Sequence, residues 1–155
     1  MTEKGEARKL TAGEIAIARS IYHDAIDLSR VEIRRRKWFP FQPVKTTMAP
    51  AGHIHFHPES DKWREDYSKE GVGFHGLLLH ELCHVWQTQQ GIYLPLKRHP
   101  FCSYSYALKP GQPFRKYGLE QQAEIVRHAY FLRNGVVVEG APPVTAYETL
   151  IAVFR

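Results

Sequence analysis

The chain has 155 residues, 43% of them hydrophobic and 24% charged, with a formal charge of +5 and two cysteines. That size suits one domain over residues 1–155, and the composition excludes a disordered chain, a disulfide scaffold and, with no apolar run near ~20 residues, a membrane-inserted helix. The charged opening, Met1 to Glu14, lacks the apolar stretch of an export signal, so the chain is expected to start cytoplasmic with residues 1–10 flexible.

The first element in chain order is a long helix from Thr11 to about Lys37. Thr11 and Glu14 make a capping box, and Ile15, Ala18, Ile21, Tyr22, Ala25 and Ile26 recur at helical spacing onward to Ile33. The basic run Arg34 to Lys37, followed by Trp38 and Phe39, has two readings. One is a helix end whose cations suit the dipole, and the other is a contact surface. Pro40, Pro43 and Pro50 then impose irregular or edge-strand backbone. "HIHFH" is a short strand with Ile54 and Phe56 on one face and His53, His55 and His57 on the other. Those histidines read as a solvated face or a substrate wall before a second metal site. "ESDKWREDYSKEGVG" reads as polar loop.

A second helix runs from about Gly73 to Gln90, with Gly91 as its left-handed stop. Ile92 to Lys116 is loop-like, with "YSY" and "YALKPGQPF" suggesting an extended pair around a Pro110–Gly111 turn. His75 and His99 read as surface or loop residues, and Cys102 carries no signal. A third helix spans about Gly118 to Arg133 and stops at Asn134–Gly135. A short strand over Val136 to Val138 and a helix capped by Thr145, with Glu148 three residues on, complete the chain. The expected class is α+β, with a small, mostly antiparallel sheet.

The chemistry concentrates in "GLLLHELCHVWQTQQG". On a helix, positions i and i+4 share a face about 6 Å apart along the axis, so His80 and His84 can hold one ion. Glu81 lies about 100° further round, where a base can take a proton from an activated water. Leu78, Leu79, Leu82, Val85 and Trp86 fill the rest of the helix, so its ionisable residues are buried and need partners. Cys83 reads as a small core residue, and Trp86 and Gln87 pack and hydrogen-bond beneath the site. A catalytic zinc normally has a third protein ligand, and "YGLEQQAEIVRH" offers Glu120 and Glu124 at i and i+4. Glu120 is expected as the ligand and Glu124 as the carboxylate that orients an imidazole.

H-E-x-x-H followed by E-x-x-x-E on a later helix resembles the gluzincin branch of zincin-type zinc metallopeptidases. The segments "TTMAPAGHIHFHP", "EDYS", "LLLHELCHVWQTQQG", "YSYALKPGQPF" and "YGLEQQAEIVR" are similar, in the same order, to small Vgr-related, zincin-like proteins encoded with bacterial type VI secretion and Rhs/VgrG elements. The resemblance implies a zincin-like fold, one zinc ion held by His80, His84 and Glu120, Glu81 as general base and Glu124 behind the ligands. It also implies an edge strand, Ile54, His55 and Phe56, that binds extended substrate. His128, Tyr104, Tyr106 and Tyr147 are candidates for stabilising the oxyanion, with His128 favoured because it shares the stripe of Glu120 and Glu124. At this length there is little room for the second subdomain that walls the cleft of larger gluzincins.

Three functional classes follow. The first is a zinc hydrolase of peptide or peptidoglycan amide bonds, delivered as a type VI effector with a VgrG/Rhs component and an immunity protein as partners. The second is a non-catalytic zinc-stabilised interaction module of that apparatus. The third, a basic nucleic-acid-binding domain, rests on charge alone and is disfavoured.

Overall fold

The computed structural model describes residues 1–94 and 104–155. Strand β1 (Ala7–Lys9), helix α1 (Ala12–Tyr22), strands β2 (Glu32–Arg34) and β3 (Ile54–His55), then helices α2 (Val72–Gln89), α3 (Leu119–Arg133) and α4 (Val144–Ile151) follow in order. The sheet order is β1-β2-β3. β1 pairs antiparallel with β2, but β2 pairs parallel with β3, so the expected mostly antiparallel sheet is half parallel.

The helix expected to reach Lys37 stops at Tyr22, and His23 leaves it at φ 50°. Asp27 accepts hydrogen bonds from the amide and hydroxyl of Ser29, which nucleates a tight turn at Leu28–Arg30 instead of another helical turn. Val31 and Ile33 are then fully buried on either side of a half-exposed Glu32, a period-two pattern that belongs to β2. The basic run therefore starts on a strand and continues into a loop, and it caps no helix. Residues 1–10 are tied down: the amide and hydroxyl of Thr2 both donate to Glu65, and β1 forms the outer strand.

Thr11 and Glu14 do form the capping box. Glu14 has no exposure, and its carboxylate also accepts two bonds from the Arg8 guanidinium and one from the Tyr67 amide, at 2.7–2.9 Å. One buried side chain thereby joins β1, α1 and the segment before α2.

α2 and α3 pack closely because Gly76 offers no side chain: a Cβ there would lie 2.7 Å from the ring of Phe131. The Tyr22 hydroxyl donates to the Leu79 carbonyl at 2.6 Å and holds α1 against α2. The polar loop before α2 contributes buried Trp63 and Tyr67, which meet Phe56 edge-on and stacked respectively. Gly91 follows α2 at φ 91°, the left-handed backbone expected there.

Tyr104 to Lys109 form no strand, while Gln112 N–H to Lys109 C=O closes the turn around Pro110–Gly111. His99 and Cys102 lie outside the described residues. Val136 to Val138 run without a ladder partner, and Val137 is 89% exposed, so no last strand forms. α4 starts at Val144, so Pro143, which has no side-chain oxygen, holds the capping position and Thr145 falls inside the first turn; Glu148 pairs with Arg133 instead. Among the described residues no helix is long and apolar enough to cross a membrane.

Replacing Glu14 by Ala would strand the Arg8 charge beside a buried amide. A loss of about 3 kcal/mol is expected in urea unfolding, and a change within error would show that the bonds at Glu14 do not hold the sheet to α1.

Candidate metal centre

α2 carries His80 and His84 on its α3-facing side, and α3 answers with Glu120 and Glu124. His80 Nε2 and His84 Nε2 lie 3.3 and 3.0 Å from the same oxygen of Glu120. These three donor atoms all fall within 4.8 Å of one another, and among the described residues they form the one group that could hold a metal ion. All three side chains are buried, at 1–6% exposure.

The hydrogen bonds behind the imidazoles decide what their inner nitrogens are. Gln122 Nε2 donates to the carbonyl of Tyr117 at 2.9 Å, which turns Gln122 Oε1 toward Gln87 Nε2, also 2.9 Å away. Gln87 Nε2 donates to Leu119 C=O as well, so the Gln87 amide presents its oxygen to His84 Nδ1 at 2.9 Å. An oxygen there requires Nδ1 to carry the proton, leaving Nε2 of neutral His84 as a lone pair. His80 is set in the same way, because its Nδ1 faces Glu124 Oε2 at 2.8 Å. Glu124 is itself held by Arg127 at 2.9 Å. Two lone pairs and a carboxylate oxygen thus converge where only a cation can relieve them. The donor set of two imidazoles and one carboxylate fits a divalent transition metal. Glu120 sits in the first turn of α3, where the helix dipole favours its negative charge.

Without metal the same convergence attracts a proton. Burial alone lowers the pKa of His80, but hydrogen bonds from Glu120 and Glu124 overcome it and raise the value to about 9. Burial likewise opposes ionisation of Glu124, yet His80 and Arg127 hold its pKa below the ordinary range.

Glu81 is buried in the next position, beside a small void among Ile33, Ile54, Phe56, Tyr67, Leu77 and Leu78. Beyond Glu124, the partner of His80, opens a cavity of about 610 Å³, whose lining includes Tyr104, Tyr106, Glu124, His128, Glu139 and Tyr147. Tyr104 stacks on His80 with ring centroids 6.0 Å apart. The Tyr106 hydroxyl lies 2.5 Å from His128 Nδ1 and 2.7 Å from the Tyr147 hydroxyl, so three of the four oxyanion candidates form one cluster. Burial lowers the pKa of His128, against the opposing pull of Glu124.

The strand expected to bind substrate does not present its side chains. Ile54 and Phe56 are 1% and 2% exposed in the core, and His55 is 4% exposed. The His55 amide and carbonyl are both bonded to Met48, so at that residue the open edge is already covered. Core aromatics meet Phe56 just beyond the two-residue strand, while His55 is covered from the other side by the segment that carries Gln42 and Met48, which alternation alone cannot show. The three nearby histidines do not converge on an ion. His53 and His57 accept from the amides of Glu32 and Glu59, and His55 Nδ1 meets Arg36 C=O. Burial takes His55 down to about 4.

Gln87 lies beneath the site as its helical position predicts, but Gln122 carries no signal in the sequence. Gln87 stands three residues after His84, on its face of α2, whereas nothing separates Gln122 from Gln121 until α2 and α3 are packed. His75 is half-buried, bonded to Tyr130 at 2.9 Å rather than free on the surface.

Two outcomes test this geometry. Gln87→Ala frees the His84 tautomer and is expected to weaken metal binding about 10–100-fold by competition with a chelating dye; unchanged affinity would mean the Gln87 bond does not orient the ligand. In metal-stripped protein, a His80 pKa raised from 6.5 to about 9 adds stability that is complete below pH 6.5 and disappears as pH rises through 9. Thermal melts should fall across that window in chelator and stay level or rise with metal bound, since metal competes with the protons. Equal slopes in both states would contradict it.

No family model matches the sequence. Over 135 residues it is 37% identical to the type VI secretion system spike protein VgrG2b of Pseudomonas aeruginosa, a match covering 82% of this chain and 13% of that protein. The structure resembles the effector domain of Pseudomonas aeruginosa VgrG2b with a TM-score of 0.75 and 32% identity, over 94% of this chain and 82% of that one. Agreement of sequence and fold along nearly the whole chain places it in the family of the VgrG2b effector domain.

Proposed function

We propose that this chain is a zincin-like, zinc-dependent hydrolase of peptide or peptidoglycan amide bonds that acts as a type VI secretion effector. The observation that carries the reading is that both histidines are anchored through Nδ1, by Glu124 and Gln87, so that both Nε2 atoms converge on one oxygen of Glu120. Preorganisation behind the ligands is costly to build and has no purpose in an ordinary helix pair. When bound, zinc would supply Lewis acidity and lower the pKa of a water to about 7.

The chain's own residues then divide the work. Glu81, adjacent to His80 on α2, accepts the proton from the attacking water and returns it to the leaving amine. His128 stabilises charge on the substrate carbonyl oxygen. A phenol O–H is a stronger donor to imidazole nitrogen than imidazole N–H is to a phenol. Tyr106 therefore donates to His128 Nδ1 and leaves Nε2–H to be offered to the substrate. The cavity beyond Glu124 is where the substrate lies, with Tyr104 over the ligand imidazole. The kinship with VgrG2b supports secretion by a type VI system and association with a VgrG component as parts of this reading.

A second reading, a zinc-stabilised module without catalysis, is favoured by one feature, the 1–6% exposure of the ligand side chains. Metal content decides the first step. About one zinc per chain is expected in the wild type and none in His84→Ala or Glu120→Ala. Glu81→Gln should keep the metal and lose hydrolysis of peptides and peptidoglycan fragments; His128→Ala should keep it and lower kcat about 100-fold. Zinc bound but no substrate turned over by the wild type would favour the module. No zinc would remove both readings.

A further inference from the structure

The loop between β2 and β3 shows a feature unrelated to the metal centre. Among the described residues, three of the seven exposed large hydrophobic side chains fall within Trp38 to Val44: Trp38 at 39%, Phe41 at 84% and Val44 at 44%. Leaving a phenylalanine so far in water is costly, and single exposed apolar residues are ordinary while clusters of them mark contact sites.

The loop is held rigid by the residue between these apolar ones. Gln42 is 3% exposed, and its Oε1 accepts from the Trp38 amide at 2.7 Å while its Nε2 donates to Thr46 C=O at 2.8 Å and to His55 C=O at 3.2 Å. One buried amide thus clamps both ends of the loop to each other and to β3. Two further turns, Gln42 N–H to Phe39 C=O and Thr46 N–H to Pro43 C=O, leave little to order on binding. Cations stand at both feet of the loop, exposed Arg36 and Lys37 before it and Lys45 after it, and residues 35–52 contain no acid.

We propose that this loop is an interfacial anchor that docks the protein on an anionic lipid surface. Trp38, Phe41 and Val44 enter the headgroup and upper acyl region, and Arg36, Lys37 and Lys45 pair with lipid phosphates. An apolar tip with cationic shoulders fits a bilayer interface, where aromatic rings settle at headgroup depth and basic residues meet negative surface potential. A single-stranded nucleic acid fits less well, because its bases need flat ring faces, while Val44, Pro40 and Pro43 offer none and Phe39 already packs edge-on against Trp38. The anchor is independent of hydrolysis, so Glu81→Gln should bind vesicles as the wild type does.

The test is co-sedimentation of the whole chain with phosphatidylethanolamine–phosphatidylglycerol vesicles and with pure phosphatidylcholine vesicles, at low and high salt. Trp63 and Trp86 are buried, so a blue shift of emission on binding reports Trp38. Binding to the anionic vesicles, weakened by salt and accompanied by that shift, is expected. Phe41→Ser and the double variant Arg36→Glu/Lys45→Glu should each weaken it about tenfold, with melting temperatures unchanged. The proposal is overturned if folded wild type ignores anionic vesicles, if both variants bind as well as wild type, or if single-stranded DNA is bound and vesicles are not.

Discussion

The carbonyl of Tyr117 sets the orientation of Gln122, Gln122 sets Gln87, and Gln87 sets the proton on His84. Every member of that chain is buried or nearly so, and a buried amide that turned over would leave donors facing donors. The arrangement therefore fixes the outer nitrogen of His84 as a donor, and a cation taking the place of the proton at His80 would meet both Nε2 lone pairs beside the Glu120 carboxylate. The packing of α2 on α3 is what brings the relay together, and it depends on Gly76 giving room to Phe131.

Electrostatics explains why such a site is built between two helices rather than on a loop. The second carboxylate, Glu124, does not join the three converging donors; it accepts the Nδ1 proton of His80 and is steadied in turn by Arg127. Charge is thus spread over two layers, which lowers the cost of burying Glu120 and lets the inner layer stay basic toward a cation. The cavity then has phenols and His128 along its wall, groups that can form hydrogen bonds and stand apart from the three converging donors.

The far side of the molecule is organised by a different buried carboxylate. Glu14 satisfies a guanidinium and two backbone amides at once, and through them the short sheet is held against α1 and the segment leading to α2. β2 and β3 in turn support the clamped loop with its exposed Phe41. Rigid support behind a polar site and behind an apolar loop is the same device used twice, with a glutamine side chain as the clamp in each case.

Much of this was legible in the residues themselves. The spacing of His80, His84, Glu120 and Glu124 identified two helices and the four side chains that meet between them, because i and i+4 on a helix allow only one face. The capping box at Thr11 and the stop at Gly91 were equally local, and both formed. The end of α1 was not legible: Ile26 to Ile33 satisfy a helical period and a strand period together, and the Asp27–Ser29 bond decides between them. Nor could alternation in "HIHFH" show that Ile54, His55 and Phe56 would all be buried, since Met48 at His55 and Trp63 and Tyr67 at Phe56 arrive only in three dimensions. Sequence by itself determined which residues share a helical face, a matter of backbone geometry within one element. Only the tertiary structure decided which faces are buried, which nitrogen of each histidine bears the proton and which loop is left in water, because those depend on contacts between residues far apart in the chain.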